Sequence, residues 1–361
     1  MIRNIPSLDG LRAVSIFLVI TGHILLTTPI PDALAFLPAN FNLSGLGVNI
    51  FFVISGFLIT YLLLVERQKT GQVNFLAFYQ RRALRIFPAF YTYLFAISIV
   101  NLTVNLNLSW PIILGAGLFV QNFVPWGPNW FVEHTWSLSV EEQFYILWPF
   151  LFVRFPKLKG IKSYAVVLIL CAIIRSLNYK FPDVAIYFLS PFLMNADFLF
   201  TGCFIAYQYF YRAEEVRALI LKAKPIFVLI AIGVLWVTSR FEYHPIYDRI
   251  FIPLSGIAGC LCIGFLLLYF IEKDDTAGYR FLNLPIVKFV GRLSYSIYLW
   301  QQLFLSNLGL WITTFPQNIL ATVLAALCSY FLIEKPFLRI KERFRAVPIN
   351  TFPDRSETPL L

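Results

Sequence analysis

In the stretch LDGLRAVSIFLVITGH, Arg12 and His23 stand eleven residues apart in an otherwise apolar run. Eleven steps of about 100° make three turns plus about 20°, so on a helix both side chains share one face, about 16.5 Å apart along the axis. Imidazole is the side chain best matched to taking and giving a proton near neutral pH. Held at mid-membrane depth, an ionisable group of this kind points to function. The bland reading is a histidine hydrogen-bonded inside a bundle for packing alone.

A basic group follows in FYQRRALRIFPAFY, where Arg81, Arg82 and Arg85 precede a predicted third helix with Pro88 in its first turn. Arg81 and Arg85 are four apart and share a face. Guanidiniums pair with phosphate bidentately, so the cluster could grip an anionic nucleotide. Basic residues at a helix mouth also mark topology or touch lipid headgroups. In HTWSLSVEEQFYILWP, Glu141 and Glu142 open an apolar run at the predicted start of the fourth helix. Carboxylates there can complement the helix dipole, or a pocket glutamate can orient a histidine or exchange protons with it. Asp197, inside an apolar run, and Glu334, at the end of the last one, are weaker candidates. Glu334 beside Lys335 reads more readily as a helix-end charge.

The elements that must carry these residues are hydrophobic. The 361 residues are 59% hydrophobic and 13% charged, against about 25% charged in soluble domains. Apolar runs close to the roughly 20 residues needed to cross a bilayer recur along the chain. They predict an all-α integral membrane bundle of about ten transmembrane helices, at residues 13–30, 47–65, 87–105, 138–153, 164–177, 191–210, 225–239, 249–271, 293–313 and 317–333. Barrels are excluded by the length of the runs. With both termini cytoplasmic, all 29 basic residues except Arg175, Lys180, Arg240 and Arg249 fall on the inner side. The net charge of +10 is thus read as topology and not as a nucleic-acid surface.

The proline- and glycine-interrupted stretch from Ser109 to Trp130 is read as an interfacial or re-entrant piece, because counting it as a span would place RFPKLKGIK outside. The small-x-small site Ala33-Leu34-Ala35 resembles a signal cleavage site. The first segment is nevertheless expected to stay, since Thr21, Gly22 and His23 do not belong in a signal core. Cys171, Cys203, Cys260, Cys262 and Cys328 lie in predicted spans without ligand-like spacing, so no metal is expected. A membrane domain over residues 1–345 and a short cytoplasmic tail over 346–361 complete the organisation.

Four motifs, in order, resemble membrane acyltransferase family 3: LDGLRAVSIFLVITGH, GVNIFFVISGFLIT, RRALRIFPAF and HTWSLSVEEQFYILWP. The resemblance covers nearly the whole chain. It implies an O-acyltransferase, most simply an O-acetyltransferase, of the bacterial inner membrane. Acetyl-CoA or another acyl-CoA is the implied donor and a surface glycan or lipid-linked saccharide the acceptor, with no nucleic acid and no metal. By residue, it implies His23 and Glu141 in catalysis and Arg12, Arg81, Arg82 and Arg85 near the CoA phosphates. One departure stands out: in GRLSYSIYLWQQLF, Trp300, Gln301 and Gln302 occupy a place where the family often has a histidine. The rival class is a transporter or flippase, since buried arginine, histidine and aspartate also build substrate pathways. The inverted repeats and paired broken helices common in carriers are not evident in the sequence.

Overall fold

The computed structural model describes residues 5–27, 41–123, 129–181, 190–241 and 248–344. Ala33 to Ala35, Trp126 and the tail at 346–361 lie outside the described residues. Among the described residues every regular element is helical, and ten helices have thirteen residues or more. They are α1 (Leu8–Thr27), α2 (Leu43–Thr70), α3 (Phe75–Val104), α4 (Thr135–Arg154), α5 (Ile161–Lys180), α6 (Ser190–Tyr211), α7 (Pro225–Phe241), α8 (Asp248–Glu272), α9 (Pro285–Phe304) and α10 (Gln317–Ser329).

Each helix expected from hydropathy overlaps one of these, but fewer qualify as spans. Six stretches among the described residues are long and apolar enough to cross a membrane: 8–27, 43–70, 75–104, 161–180, 251–272 and 317–344. A seventh is broken, because the helix Ala213–Lys222 meets α7 at 91°. The chain is an integral membrane protein. Helices α4, α6 and α9 are not among those six, and α4 and α9 carry much of the polar chemistry described below.

Most helices start earlier than the sequence reading placed them, and two of these starts move candidate residues. Asn74 caps α3 by accepting from the Ala77 N–H at 2.9 Å, a favourable cap that draws the helix back to Phe75. Pro88 is therefore interior, not in the first turn, and Arg81, Arg82 and Arg85 sit within the helix, not before it. Helix α4 starts at Thr135, with His134 as its N-cap. Glu141 and Glu142 thus lie nearly two turns in, beyond the first turn where a dipole attracts carboxylates.

Between α3 and α4 the chain forms short pieces instead of a span. The helix Trp110–Gly117 has 8 residues, about 12 Å at 1.5 Å per residue, far short of about 30 Å of hydrocarbon. The turn Gln121–Phe123 is stitched to α4. There the Gln143 amide donates to Phe119 O at 2.9 Å and to the Asn122 amide oxygen at 2.8 Å. A last short helix, Trp130–Glu133, leads into His134.

The core sets α1 between α2 and α9, while α2 packs most extensively along α6. That last contact is backbone against backbone. A Cβ on Gly56 would lie 1.9 Å from Leu199 O, and one on Gly202 would lie 2.1 Å from Val53 O. Neither obstruction is a side chain that can swing away. Gly56→Val or Gly202→Val is expected to destabilise the bundle by about 1–3 kcal/mol or more through overpacking. Gly233 on α7 has nothing within 4 Å, so Gly233→Ala should stabilise by about 0.5–1 kcal/mol. Thermal melts of the three variants in one detergent check the contrast; equal melting of all three would contradict it.

Candidate active site

Two cavities follow one another along α1. The arginine cavity, about 90 Å³, is lined by Arg12, Arg82, Arg85, Glu141, Ser55 and Tyr145. The histidine cavity, about 720 Å³, is lined by His23, His134, Trp130, Trp136, Arg175 and Gln302 among others. Val48 and Tyr298 line both. An isopropyl group and a phenol ring therefore form the shared wall.

Three guanidiniums face the smaller cavity from two helices. Arg12 is held by Asp9 only at 3.4 Å. The Arg82 guanidinium lies over the Tyr145 ring, 4.7 Å from its centroid, a cation–π contact that fixes its plane. Glu141 accepts a hydrogen bond from the Ser55 hydroxyl at 2.7 Å. Three cations and one carboxylate line this cavity, with Asp9 beside Arg12, a lining able to attract an anion.

Arg81 is not in this group. It donates to Glu66 at 2.7 Å and to Phe344 O at 2.9 Å, tying α3 to α2 and to the chain after α10. The i,i+4 face shared with Arg85 proved a poor guide to its partner. Arg82 and Arg85, three apart, are the pair that meet in the cavity.

His23 is oriented by a glutamine. Its Nδ1 lies 2.7 Å from Gln301 Oε1, and Gln301 is fully buried. The Trp130 ring meets the imidazole edge-on, centroids 5.3 Å apart, and the indole N–H donates to Gln302 O at 2.8 Å. Glu141 lines the other cavity, so His23 and Glu141 do not share one. Gln301, and not a glutamate, orients the His23 ring.

The wall is a hydrogen-bonded unit. The Tyr298 hydroxyl donates to His134 O at 2.9 Å and lies 2.6 Å from the Ser137 hydroxyl. These contacts tie α9 to the start of α4.

The two weaker candidates are both buried. Asp197 pairs with Arg175 at 2.6 Å on α5, and Arg175 also donates to Met194 O. Glu334, 2% exposed, ends a π-helical turn at Tyr330–Glu334 and accepts from the Ser296 hydroxyl at 3.0 Å. The extra residue of a π-turn rotates the helix beyond it. A charge that reads as a helix end in sequence is thereby turned into the bundle. Among the described residues no three His, Cys, Asp or Glu side chains gather as a metal site.

Sequence reasoning missed the roles of His134, Tyr298, Ser55, Gln301 and Gln302. Their signal was present as polar side chains inside apolar helices, the two consecutive glutamines above all.

The comparisons with known proteins fit this arrangement. A protein of Staphylococcus aureus (strain NCTC 8325 / PS 47) named O-acetyltransferase OatA is 28% identical over 379 residues, covering 95% of this chain and 58% of its own. A candidate O-acetyltransferase of Staphylococcus aureus (strain COL) is 26% identical over 381 residues, covering 93% of this chain and 57% of its own. The chain thus spans a little over half the length of these relatives. No solved structure matches it. The family described as the acyltransferase domain matches residues 5–333, a stretch that holds both cavities and the wall between them, and the chain belongs to that family.

Proposed function

We propose that the protein is a membrane O-acyltransferase that moves an acyl group, most simply acetyl, from a cytoplasmic acyl-CoA to a hydroxyl of a surface or lipid-linked glycan. One observation carries the reading: a cation-lined cavity and a histidine-lined cavity adjoin along α1 and share Val48 and Tyr298 in their linings. Arg12, Arg82 and Arg85 would hold the donor phosphates. His23, about 16.5 Å further along α1, would meet the thioester at the end of the long pantetheine arm. Such a separation suits a donor whose charge and reacting carbonyl lie far apart. The small cavity must widen at Tyr298 for the arm to pass.

The basic inner loops support placing the arginine cavity toward the cytoplasm, with ten crossings in all. The histidine cavity, roomy and walled by Trp130 and Trp136, then receives the acceptor from the other face. Indole rings suit the apolar faces of sugars. The O-acetyltransferase names of the relatives support acetyl as the group moved. Glu141, bonded to Ser55 among the arginines, is proposed to keep their guanidiniums spread for the donor.

Thiol release from acetyl-CoA by the purified chain in proteoliposomes, with labelled acetyl followed onto lipid-linked saccharide, tests the reading. Saccharide movement without thiol release would favour a carrier. His23→Ala is expected to abolish transfer while leaving insertion and melting intact; residual transfer near the parent rate would remove His23 from the chemistry. Arg82→Ala and Arg85→Ala should raise the half-saturating donor concentration about ten- to a hundredfold, as loss of a charge-assisted bond worth about 1.5–3 kcal/mol requires. Raised salt should weaken donor binding by the parent in the same direction. Arg81→Ala should instead leave half-saturation alone and cost roughly 3–5 kcal/mol of stability, because Glu66, still accepting from the Asn74 N–H, is left buried without its counter-ion. Donor titrations and melts on the same preparations separate the two roles. Glu141→Gln is expected to impair transfer more than Glu142→Gln, and equal loss at both positions would contradict a specific role for Glu141.

A further inference from the structure

We infer that His134 is a second catalytic residue: the base that takes the proton of the acceptor hydroxyl while His23 carries the acyl group. The inference rests on the acyltransferase reading above and adds a residue and a division of labour to it.

Two donors of His134 converge on one atom. Its backbone N–H lies 3.1 Å from Gln302 Oε1, and its ring Nδ1 lies 2.5 Å from the same oxygen. A backbone N–H can only donate, so that amide atom is an acceptor and the ring nitrogen facing it carries a hydrogen. The tautomer is thereby fixed, and Nε2 is left with its lone pair. The residue is 2% exposed, and its Nε2 is closed to solvent with no hydrogen-bond partner, so an acceptor reaches it only as the ring or its cover shifts. Buried acceptors are almost always satisfied, and an exception calls for an explanation in function.

Its surroundings supply one. His134 and His23 line the same cavity, and their orienting amides belong to consecutive residues of α9, Gln302 and Gln301. Trp130 braces both, with its ring edge-on to His23 and its indole N–H on Gln302 O. One turn of one helix therefore sets two imidazoles, each engaged through Nδ1.

The chemistry needs both. His23 Nε2 attacks the thioester carbonyl, the C–S bond breaks, and the thiolate leaves with the electron pair. The acyl group now occupies the nitrogen that would have served as base. In the second step the acceptor oxygen attacks the acyl carbonyl as its proton moves to His134 Nε2. The C–N bond breaks, its electron pair returns to His23 Nε2, and His134 gives its proton to water. The net change is ester, thiolate and one proton from thioester and alcohol.

The test uses His134→Asn, which retains a side-chain N–H near the Nδ1 position and a good helix cap but has no base, with His134→Gln as a second variant. Full-length protein in proteoliposomes is mixed rapidly with acetyl-CoA, and then offered methyl glucoside or hydroxylamine. Hydroxylamine attacks acyl-imidazole without help from a base. The expected result is a burst of about one thiol per chain with acetyl on the His23 peptide and unimpaired hydroxamate formation. Transfer to the glucoside should fall about 10²–10⁴-fold, the usual contribution of a positioned base. Glucoside transfer within threefold of the parent overturns the inference. So does loss of both the burst and hydroxamate formation in two variants that still insert and melt like the parent, because that pattern belongs to a structural residue. A parent that releases no thiol at all overturns the acyltransferase reading itself, and is seen before any variant is compared.

Discussion

Hydrocarbon does not solvate charge, so a bundle that carries ionisable side chains at membrane depth must satisfy them from within. The arrangement of this protein follows from that constraint. Arg175 finds Asp197 across α5 and α6, Arg81 finds Glu66 across α3 and α2, and Glu334 finds Ser296 across a π-turn and α9. Each pair joins different elements, so satisfying a charge also fixes how two elements sit together. Arg12, Arg82 and Arg85 are the notable contrast. They gather around a cavity with Glu141 as the carboxylate among its lining and Asp9 3.4 Å from Arg12.

The same economy governs the neutral polar groups. A glutamine amide has two donors and an acceptor, and two of them in sequence orient two histidines without adding charge. A carboxylate in the same place would favour the imidazolium form; an amide leaves the ring neutral and nucleophilic. Gln301 and Gln302 therefore hold two imidazoles in the middle of a bundle without adding charge. The aromatic ring of Trp130 and the hydroxyl of Tyr298 complete the frame from neighbouring elements.

Much of this was legible in the sequence. Hydropathy located every long helix, and the eleven-residue spacing of Arg12 and His23 correctly put them on one helix. The two ends of that spacing proved to be two cavities. Pairing between elements could not be read. Arg81 and Arg85 share a face by periodicity, yet the position of Glu66 on the preceding helix decides where Arg81 goes. Glu141 and Glu142 looked like a helix start because the true beginning at Thr135 has no apolar signature. Gln301 and Gln302 registered as a missing histidine, whereas in space they serve histidines from two other segments. Glu334 was hidden by a π-turn, a local rewinding that no spacing rule anticipates.

The wall made by Val48 and Tyr298 bears on more than chemistry. A continuous watery passage through a membrane is a short circuit: ions would run down the gradients the cell spends energy to maintain, at rates far above those of a typical enzyme turnover. A phenol ring pinned at its hydroxyl by Ser137 and His134 O stands with Val48 where the two cavities adjoin. Two chambers parted in this way can hold water without joining into one channel. On the proposal made above, an arm threaded past the ring would itself be the plug.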